Sequence, residues 1–166
     1  MTTLAGKNNE KTNVMRILDG KKIAYQAHTY RPDASMSGEE IAALLGEDPA
    51  KVFKTLVTIG KSGQHYVFVI PADQKLDLKK AASSAGVKSV EMIAQKELFP
   101  LTGYVHGGCS PVGMKKPFVT VIDETAVLFD TICVSAGKVG MQAEVSPQEL
   151  IELIHGSFAD LTREDG

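Results

Sequence analysis

The sequence predicts an α+β domain on a largely antiparallel or mixed sheet with peripheral helices. Three observations point there. At 166 residues with 43% hydrophobic content, the chain can bury one core without disulfides or metals. Runs of β-branched residues are joined by short glycine turns, which is how hairpins are written. The helix signals stand singly between these runs rather than alternating regularly with them, so a parallel α/β layer is not indicated.

Val14, Ile17 and Leu18 recur at helical spacing and stop before Gly20, so residues 13–18 predict a first helix. Residues 23–30 alternate as a half-buried strand. Ser37 followed by Glu40 forms a capping box for a second helix carrying Ile41, Leu44 and Leu45 and ending at Gly46. Asp48-Pro49 opens a short turn. Residues 52–59 and 65–70 flank Gly60-Lys61-Ser62-Gly63 as an antiparallel hairpin. Asp77 caps a helix over 78–85 that stops at Gly86, and 95–99 form one further turn before Pro100, so the middle of the chain reads as helical. A Gly- and Pro-rich loop follows from His106 to Gly113, then strands at 118–122, 131–135 and 141–145. Ser146, Pro147 and Glu149 write a second capping box, opening a closing helix over 147–155. The organisation expected is a tail over 1–12, one domain over 13–161 and a short tail over 162–166.

Eighteen Lys and Arg against twenty Asp and Glu give a net charge of -2, which excludes a strongly basic nucleic-acid coat but not a local basic patch. Apolar runs such as Tyr66 to Ile70 are far shorter than the ~20 residues of a membrane-spanning helix. The polar first dozen residues lack a secretory signal's apolar centre, so a cytoplasmic protein is expected. Cys109 and Cys133 form no C-x-x-C, and His28, His65, His106 and His155 are scattered, so no metal site is expected.

The densest unusual segment runs from Thr102 to Lys116. Gly108 to Gly113 has a P-loop's gap, but Met114 stands where the lysine belongs, and Ser110 lacks the glycine of a nucleophile elbow. Two readings stay open: a structural turn, or backbone N–H groups directed at a ligand. The Val134-Ser135-Ala136-Gly137-Lys138-Val139-Gly140 segment joins two expected strands and reads on composition as a hairpin turn. Lys54 interrupts the apolar strand 52–57, where alternation groups it with Leu56 and Thr58 and sets Phe53, Thr55 and Val57 opposite. It is either an edge lysine with a snorkelling head or a lysine turned into a pocket to meet an anion or polarise a carbonyl.

Six ordered strings make the pattern specific: H-T-Y at 28–30, V-F-K-T-L at 52–56, L-D-L-K-K-A at 76–81, V-E-M at 90–92, T-G-Y-V-H-G-G-C-S-P-V-G-M-K-K at 102–116 and V-S-A-G-K-V-G at 134–140. Together they resemble the YbaK/EbsC family of free-standing aminoacyl-tRNA deacylases, relatives of the editing domain of bacterial prolyl-tRNA synthetases. The resemblance runs from about residue 13 to 160 and favours the Cys-tRNA(Pro) deacylase branch. It implies a partly barrel-like mixed sheet with helices around it, and removal of cysteine mischarged onto proline tRNA. Cysteine and proline are close in size, and binding alone separates such side chains by only ~1–3 kcal/mol.

Carried over by residue, the resemblance puts the family lysine on Lys54 and the G-x-x-x-P loop on Gly107 to Pro111, with Gly107 and Gly108 amides meeting the carbonyl oxygen and Ser110 and Pro111 against the substrate. It puts substrate contacts on Ser135 and Gly137, and the pocket tyrosine on Tyr30. The implied chemistry is substrate-assisted: the cysteinyl thiol attacks its own ester and leaves as a thiolactone. No cofactor, metal, DNA or membrane enters. The partners implied are the aminoacyl-tRNA acceptor end and prolyl-tRNA synthetase, with Lys79, Lys80, Lys115, Lys116 and Lys138 as a weak basic rim for the tRNA. An acidic residue expected after the S-x-G turn is replaced by Gln142, with Glu144 on the same strand face, so either could serve at that position. Cys109 reads as a small buried filler or as a nucleophile in its own right. The alternatives to Cys-tRNA(Pro) editing are an Ala-tRNA(Pro) deacylase using activated water and a non-catalytic tRNA- or synthetase-binding module.

Overall fold

The computed structural model describes residues 11–31 and 38–163. The chain runs α1 (Asn13–Gly20), β1 (Tyr25–Thr29), α2 (Gly38–Leu45), β2 (Phe53–Gly60), β3 (His65–Pro71), β4 (Lys75–Leu76), α3 (Leu78–Ala85), β5 (Val90–Met92), α4 (Leu98–Thr102), β6 (Val119–Asp123), β7 (Ile132–Lys138), β8 (Met141–Val145), α5 (Pro147–Leu153), β9 (Ser157–Ala159) and β10 (Thr162–Arg163). The α+β class expected from the sequence is what forms. Ser37, the residue expected to cap α2, lies outside the described residues.

Five strands form one sheet in the order β5-β2-β3-β6-β9, and three form another in the order β1-β8-β7. The hairpin read from residues 52–70 is present, with Lys54 opposite Ile70 and Thr58 opposite Tyr66. β3 then pairs in parallel with β6, and β6 with β9. As the central strand β3 is buried on both faces, which is why its sequence is a continuous apolar run rather than an alternation. Val67 and Val69 enter one core with Val14, Leu18, Phe53, Ile122, Val134 and Leu150. Phe68 and Ile70 enter the other, under Ala81 and Ala82 of α3. Burying a side chain like Phe68 stabilises the fold by about 2–3 kcal/mol.

A parallel bridge between Val52 and Cys133 joins the two sheets, setting β2 beside β7. Two sheets joined at this bridge agree with the mixed, partly barrel-like sheet that the resemblance implies, and no closed barrel forms among the described residues.

Local chemistry sets the element ends. The Asp77 carboxylate accepts from the Lys79 and Lys80 amides at 2.9 and 3.0 Å, and Gly86 closes α3 at φ +73. Ser146 caps α5 by accepting from the Glu149 amide, with Pro147 at the first helical position. α5 stops at Leu153, shorter than expected.

Several expectations are corrected. The middle of the chain is not wholly helical, because Val90–Met92 pairs with the end of β2. The 95–99 turn is a 3-10 turn, Gln95–Glu97, followed by α4, which passes through Pro100. Proline is tolerated there because N–H groups in a helix's first turn have no intrahelical acceptor. Thr12 caps α1 by accepting from the Met15 amide, so it belongs to the domain rather than to the N-terminal tail. Thr162 and Arg163 pair with Leu76 and Lys75, so the chain is built in two residues beyond the expected boundary. No described helix is long and apolar enough to cross a membrane.

Candidate active site

The three-stranded sheet sorts its side chains by strand alternation. Gln142 lies opposite both Ser135 and His28, and Glu144 lies opposite both Cys133 and Gln26. Directly opposed residues point to the same face, so one face carries His28, Cys133, Ser135, Gln142 and Glu144. Val134, Ala143 and Val145 turn to the apolar core on the other. Val52 packs with Cys133 and Ala42 on the polar side. Two residues further along the parallel strands, Lys54 and Ser135 come abreast on that same face.

Lys54 is half-buried and makes no hydrogen bond or ion pair with any described residue. Burial pushes its amine below the ordinary 10.5, against the pull of Asp73 and with a further push from Lys75. Half-burial of the residue speaks against an edge lysine with its head wholly in water. Sequence alternation, which grouped Lys54 with Leu56 and Thr58, matches the pairing with β3.

Ser135 is 7% exposed, and its hydroxyl oxygen accepts the Gly137 N–H at 3.1 Å across a register shift in β7. Gly137 adopts φ +94, and a Cβ there would meet Val14 Cγ2 at 3.0 Å. Gln142 is 5% exposed and its Oε1 has no hydrogen-bond partner among the described residues. An unpaired buried acceptor costs about 1–3 kcal/mol. The half-buried Tyr30 follows β1, and its N–H donates to the Gly140 carbonyl at 2.9 Å.

The glycine loop meets this end of the sheet. A Cβ on Gly108 would sit 3.1 Å from the Val139 amide nitrogen, and one on Gly107 would sit 3.5 Å from Val139 Cγ2. Only glycine lets the 107–111 loop lie directly on the β7–β8 turn. The structure corrects one expectation here: the Gly108 N–H donates to the Val105 carbonyl at 2.9 Å, closing a turn, and is not free to meet a substrate oxygen. The Gly107, Cys109 and Ser110 amides make no hydrogen bond to described residues and are the loop's remaining donors. Ser110 and Pro111 are buried, and the Ser110 oxygen accepts the Val112 N–H at 3.2 Å, shaping the loop from within. Tyr104 anchors the loop by donating to the Val112 carbonyl.

Burial pushes the Cys109 thiol up to about 12, which disfavours the thiolate that a nucleophile would need. Of the lysines expected as a rim, Lys138 is exposed beside Gly108, and Lys115 and Lys116 are exposed after the loop. Lys115 also lies 5.6 Å from the Phe99 ring centroid. Lys79 is exposed on α3, while Lys80 is engaged by Asp160 at 2.9 Å and by the Thr162 carbonyl at 2.8 Å. The basic rim is therefore reduced by one.

A cluster that sequence reading missed adjoins this face. The donor atoms of His28, Glu47, Cys133 and Glu144 lie within 4.8 Å of one another. Sequence spacing gave no sign of it, because the four residues come from distant segments. Lys51, in a 3-10 turn over Pro49–Lys51, reaches between the two acids, at 2.7 Å from Glu144 and 3.4 Å from Glu47, and supplies the balancing charge. Glu144 also accepts from Thr131 Oγ1 and, at 2.7 Å, from His28 Nε2. Burial alone would raise its carboxyl. Hydrogen bonds from Lys51, Thr131 and His28, with the charge on Lys51, bring it down to about 2 from an ordinary 4.5. Between the two residues considered for the missing acid, Glu144 is thus fully engaged within the protein and Gln142 alone keeps an open acceptor.

The depressed carboxyl has a stability consequence. A group whose folded pKa lies below its unfolded value stabilises the fold above the unfolded pKa, and that contribution drains away as pH falls from about 4.5 toward 2. It amounts to on the order of 3 kcal/mol. Chemical denaturation across this window should show wild type losing stability relative to Glu144→Gln, and parallel curves would contradict the assignment.

Comparison with known proteins adds an independent line. A family model described as an aminoacyl-tRNA editing domain matches residues 32–153. EbsC of Enterococcus faecalis, which carries the provisional name of a Cys-tRNA(Pro)/Cys-tRNA(Cys) deacylase, is 44% identical over 96% of this chain and 98% of its own. A proline–tRNA ligase of Pelobacter propionicus is 30% identical over 57% of this chain, a segment that makes up 16% of that enzyme. Among solved structures, hypothetical protein APE2540 superposes with a TM-score of 0.82 at 28% identity, covering 90% of this chain and 99% of that one. A protein provisionally described as a trans-editing enzyme for prolyl tRNA synthetase superposes with a TM-score of 0.77, over 93% of this chain and all of that one; at 24% identity this speaks for the fold.

Proposed function

The chain belongs to the aminoacyl-tRNA editing domain family, and from that premise we propose that it is an ester-cleaving deacylase that removes cysteine from Cys-tRNA(Pro), and also from Cys-tRNA(Cys). The observation that carries the reading is Lys54: a half-buried amine without a hydrogen-bond partner among the described residues, abreast of Ser135 on the polar sheet face. An ammonium so placed meets the negative charge of the acceptor end and the oxygen of the ester as charge develops on it. The Gly107 amide adds a donor at the carbonyl, the hydroxyls of Tyr30 and Ser135 bound the pocket, and Gln142 Oε1 accepts from the substrate's ammonium.

The site's chemistry is that of donors without a nucleophile, and the substrate supplies what is missing. A cysteinyl thiol has a free pKa of ~8.5 and is readily made nucleophilic. Its sulfur bonds to its own carbonyl carbon, the bond from that carbon to the ribose oxygen breaks, and the thiol proton passes to the departing ribose oxygen. Free tRNA and a cyclic thiolactone result. Serine would fit the same space, but its hydroxyl attacks poorly without an adjacent base, so the pocket selects cysteine by reactivity.

Specificity for a particular tRNA has little surface to reside in here, and prolyl-tRNA synthetase is the partner that would supply it. Charged tRNA places the protein in the cytoplasm. The exposed Lys79, Lys115, Lys116 and Lys138 form the acceptor-stem contact. Cys109→Ala should leave turnover within about twofold of wild type, because a protonated buried thiol takes no part in the reaction.

Purified protein offered Cys-tRNA(Pro), Ser-tRNA(Pro) and Ala-tRNA(Pro) tests the proposal. Loss of cysteine with the other two spared supports it. Loss of alanine instead would move the chain to water-activated Ala-tRNA(Pro) hydrolysis, and turnover of none would leave a binding module.

A further inference from the structure

We propose that Glu144 is the positioning residue of the editing site, a single carboxylate that gathers the strands carrying its substrate-facing groups. The deacylase reading above supplies the kinetic half of the test, but not the geometric half.

Each partner of Glu144 lies a short step in sequence from a site residue. Lys51 donates to it at 2.7 Å from the turn that enters β2, three residues before Lys54. His28 meets it at 2.7 Å from β1, two residues before Tyr30. Thr131 donates to it just ahead of β7, four residues before Ser135. Glu144 itself stands two residues after Gln142 on β8. A residue two positions along a strand returns to the same face, so the hub lies beside the pocket on the polar side of the sheet. A carboxylate in this setting accepts only, which requires Nε2 of His28 to carry the hydrogen it shares with Glu144.

The need for such a hub is visible in the strand pairing. Among the described residues the chain entering β2 joins β7 through the single bridge Val52–Cys133, whereas β7–β8 and β1–β8 are antiparallel ladders. One bridge fixes the relative height of Lys54 and Ser135 weakly. The Lys51–Glu144 ion pair spans the same junction and adds a directional constraint to the apolar core that Phe53 and Val57 share with Ile132 and Val134. The groups facing the carboxylate are Lys51, His28 and Thr131, with Glu47 and Cys133 beyond them, and Lys51 is shared with Glu47. Charge-assisted hydrogen bonds to an ionised group are about twice as strong as neutral ones, so removing this one acceptor loosens three segments together.

Glu144→Gln keeps side-chain length and one acceptor oxygen but gives up the charge. Thr131→Val removes one bond and leaves the carboxylate, serving as the milder variant should the first unfold. Two readouts are taken on folded protein: the titration of Lys54, followed by NMR after 13C-methylation of lysines, and kcat and KM on Cys-tRNA(Pro). In wild type Lys54 is expected to titrate below its ordinary 10.5, because burial disfavours its charged form. In Glu144→Gln it is expected to move up toward 10.5 as β2 relaxes and water reaches the amine. kcat is expected to fall at least tenfold with KM within about twofold, as misplacement by about an ångström does at a reacting centre. Thr131→Val should shift both in the same direction by less. A purely structural role would lower Tm and leave the Lys54 titration and kcat per folded molecule at wild-type values, which would overturn the proposal. If wild type spares Cys-tRNA(Pro), the editing reading fails by itself, and the Lys54 titration still decides the positioning claim.

Discussion

Lys54→Ala is expected to slow deacylation of Cys-tRNA(Pro) by on the order of 10²–10³-fold while the protein stays folded. That is the usual penalty for deleting one preorganised donor at a developing oxyanion. The fold should survive because Lys54 gives no hydrogen bond or ion pair to described residues, and its neighbours Phe53 and Val57 hold β2 in the core from the opposite face. Its depressed amine points the same way. A lysine whose folded pKa is lowered carries its charge in the fold at a cost, so removing it gives back stability rather than taking it. Thermal melts within about 3 °C of wild type, beside single-turnover deacylation, check both halves. Loss of turnover accompanied by unfolding would mean that Lys54 serves the fold and not the chemistry.

Gly137→Ala is expected to cost about 2–4 kcal/mol of stability, one part from backbone strain and one from crowding. At φ +94 an L-residue is strained wherever it stands. A Cβ would also press to 3.0 Å from Val14 Cγ2 and 3.2 Å from Tyr104 Cε1. Val14 is fully buried and Tyr104 is tied to the Val112 carbonyl, so neither yields easily. Gly63→Ala isolates the first part, since Gly63 has a similar φ of +91 with nothing within 4 Å. In thermal unfolding Gly137→Ala should melt about 5–15 °C below wild type and Gly63→Ala only a few degrees below. Equal melting of the two variants would mean that the close approach of α1, Tyr104 and the β7 bulge is not what requires glycine.

What the sequence made legible was governed by local chemistry. Asp77 and Gly86 bracket α3 because a side-chain acceptor and a left-handed terminus each act within a few residues. The β2–β3 hairpin was written in its β-branched runs and turn. Val90–Met92, Ser157–Ala159 and Thr162–Arg163 were not, because strands of two or three residues at sheet edges carry no alternation and exist by pairing alone. The site divides the same way. Lys54 stood out as a charge in an apolar strand, while Gly107, Ser135 and Gln142 were picked out by the family resemblance; the sheet brings Lys54, Ser135 and Gln142 to one face with the Gly107 loop at its end. The Gly108 amide was assigned to the substrate because sequence cannot show that the Val105 carbonyl already holds it. Lys80 looked like a rim lysine for the same reason, its partner Asp160 lying eighty residues on. The Glu144 cluster escaped notice altogether, since Lys51, His28 and Thr131 meet it only after three strands have paired.

The central claim is that the substrate's own thiol cleaves the ester in a pocket that supplies donors alone. Single-turnover deacylation of Cys-tRNA(Pro), compared with the same tRNA carrying S-methylcysteine, tests it most directly. The thiol-bearing tRNA should be discharged with release of a thiolactone, while the methylated one persists as long as it does in buffer. Discharge of both at one rate would show that water or a protein group attacks the ester, contradicting the account.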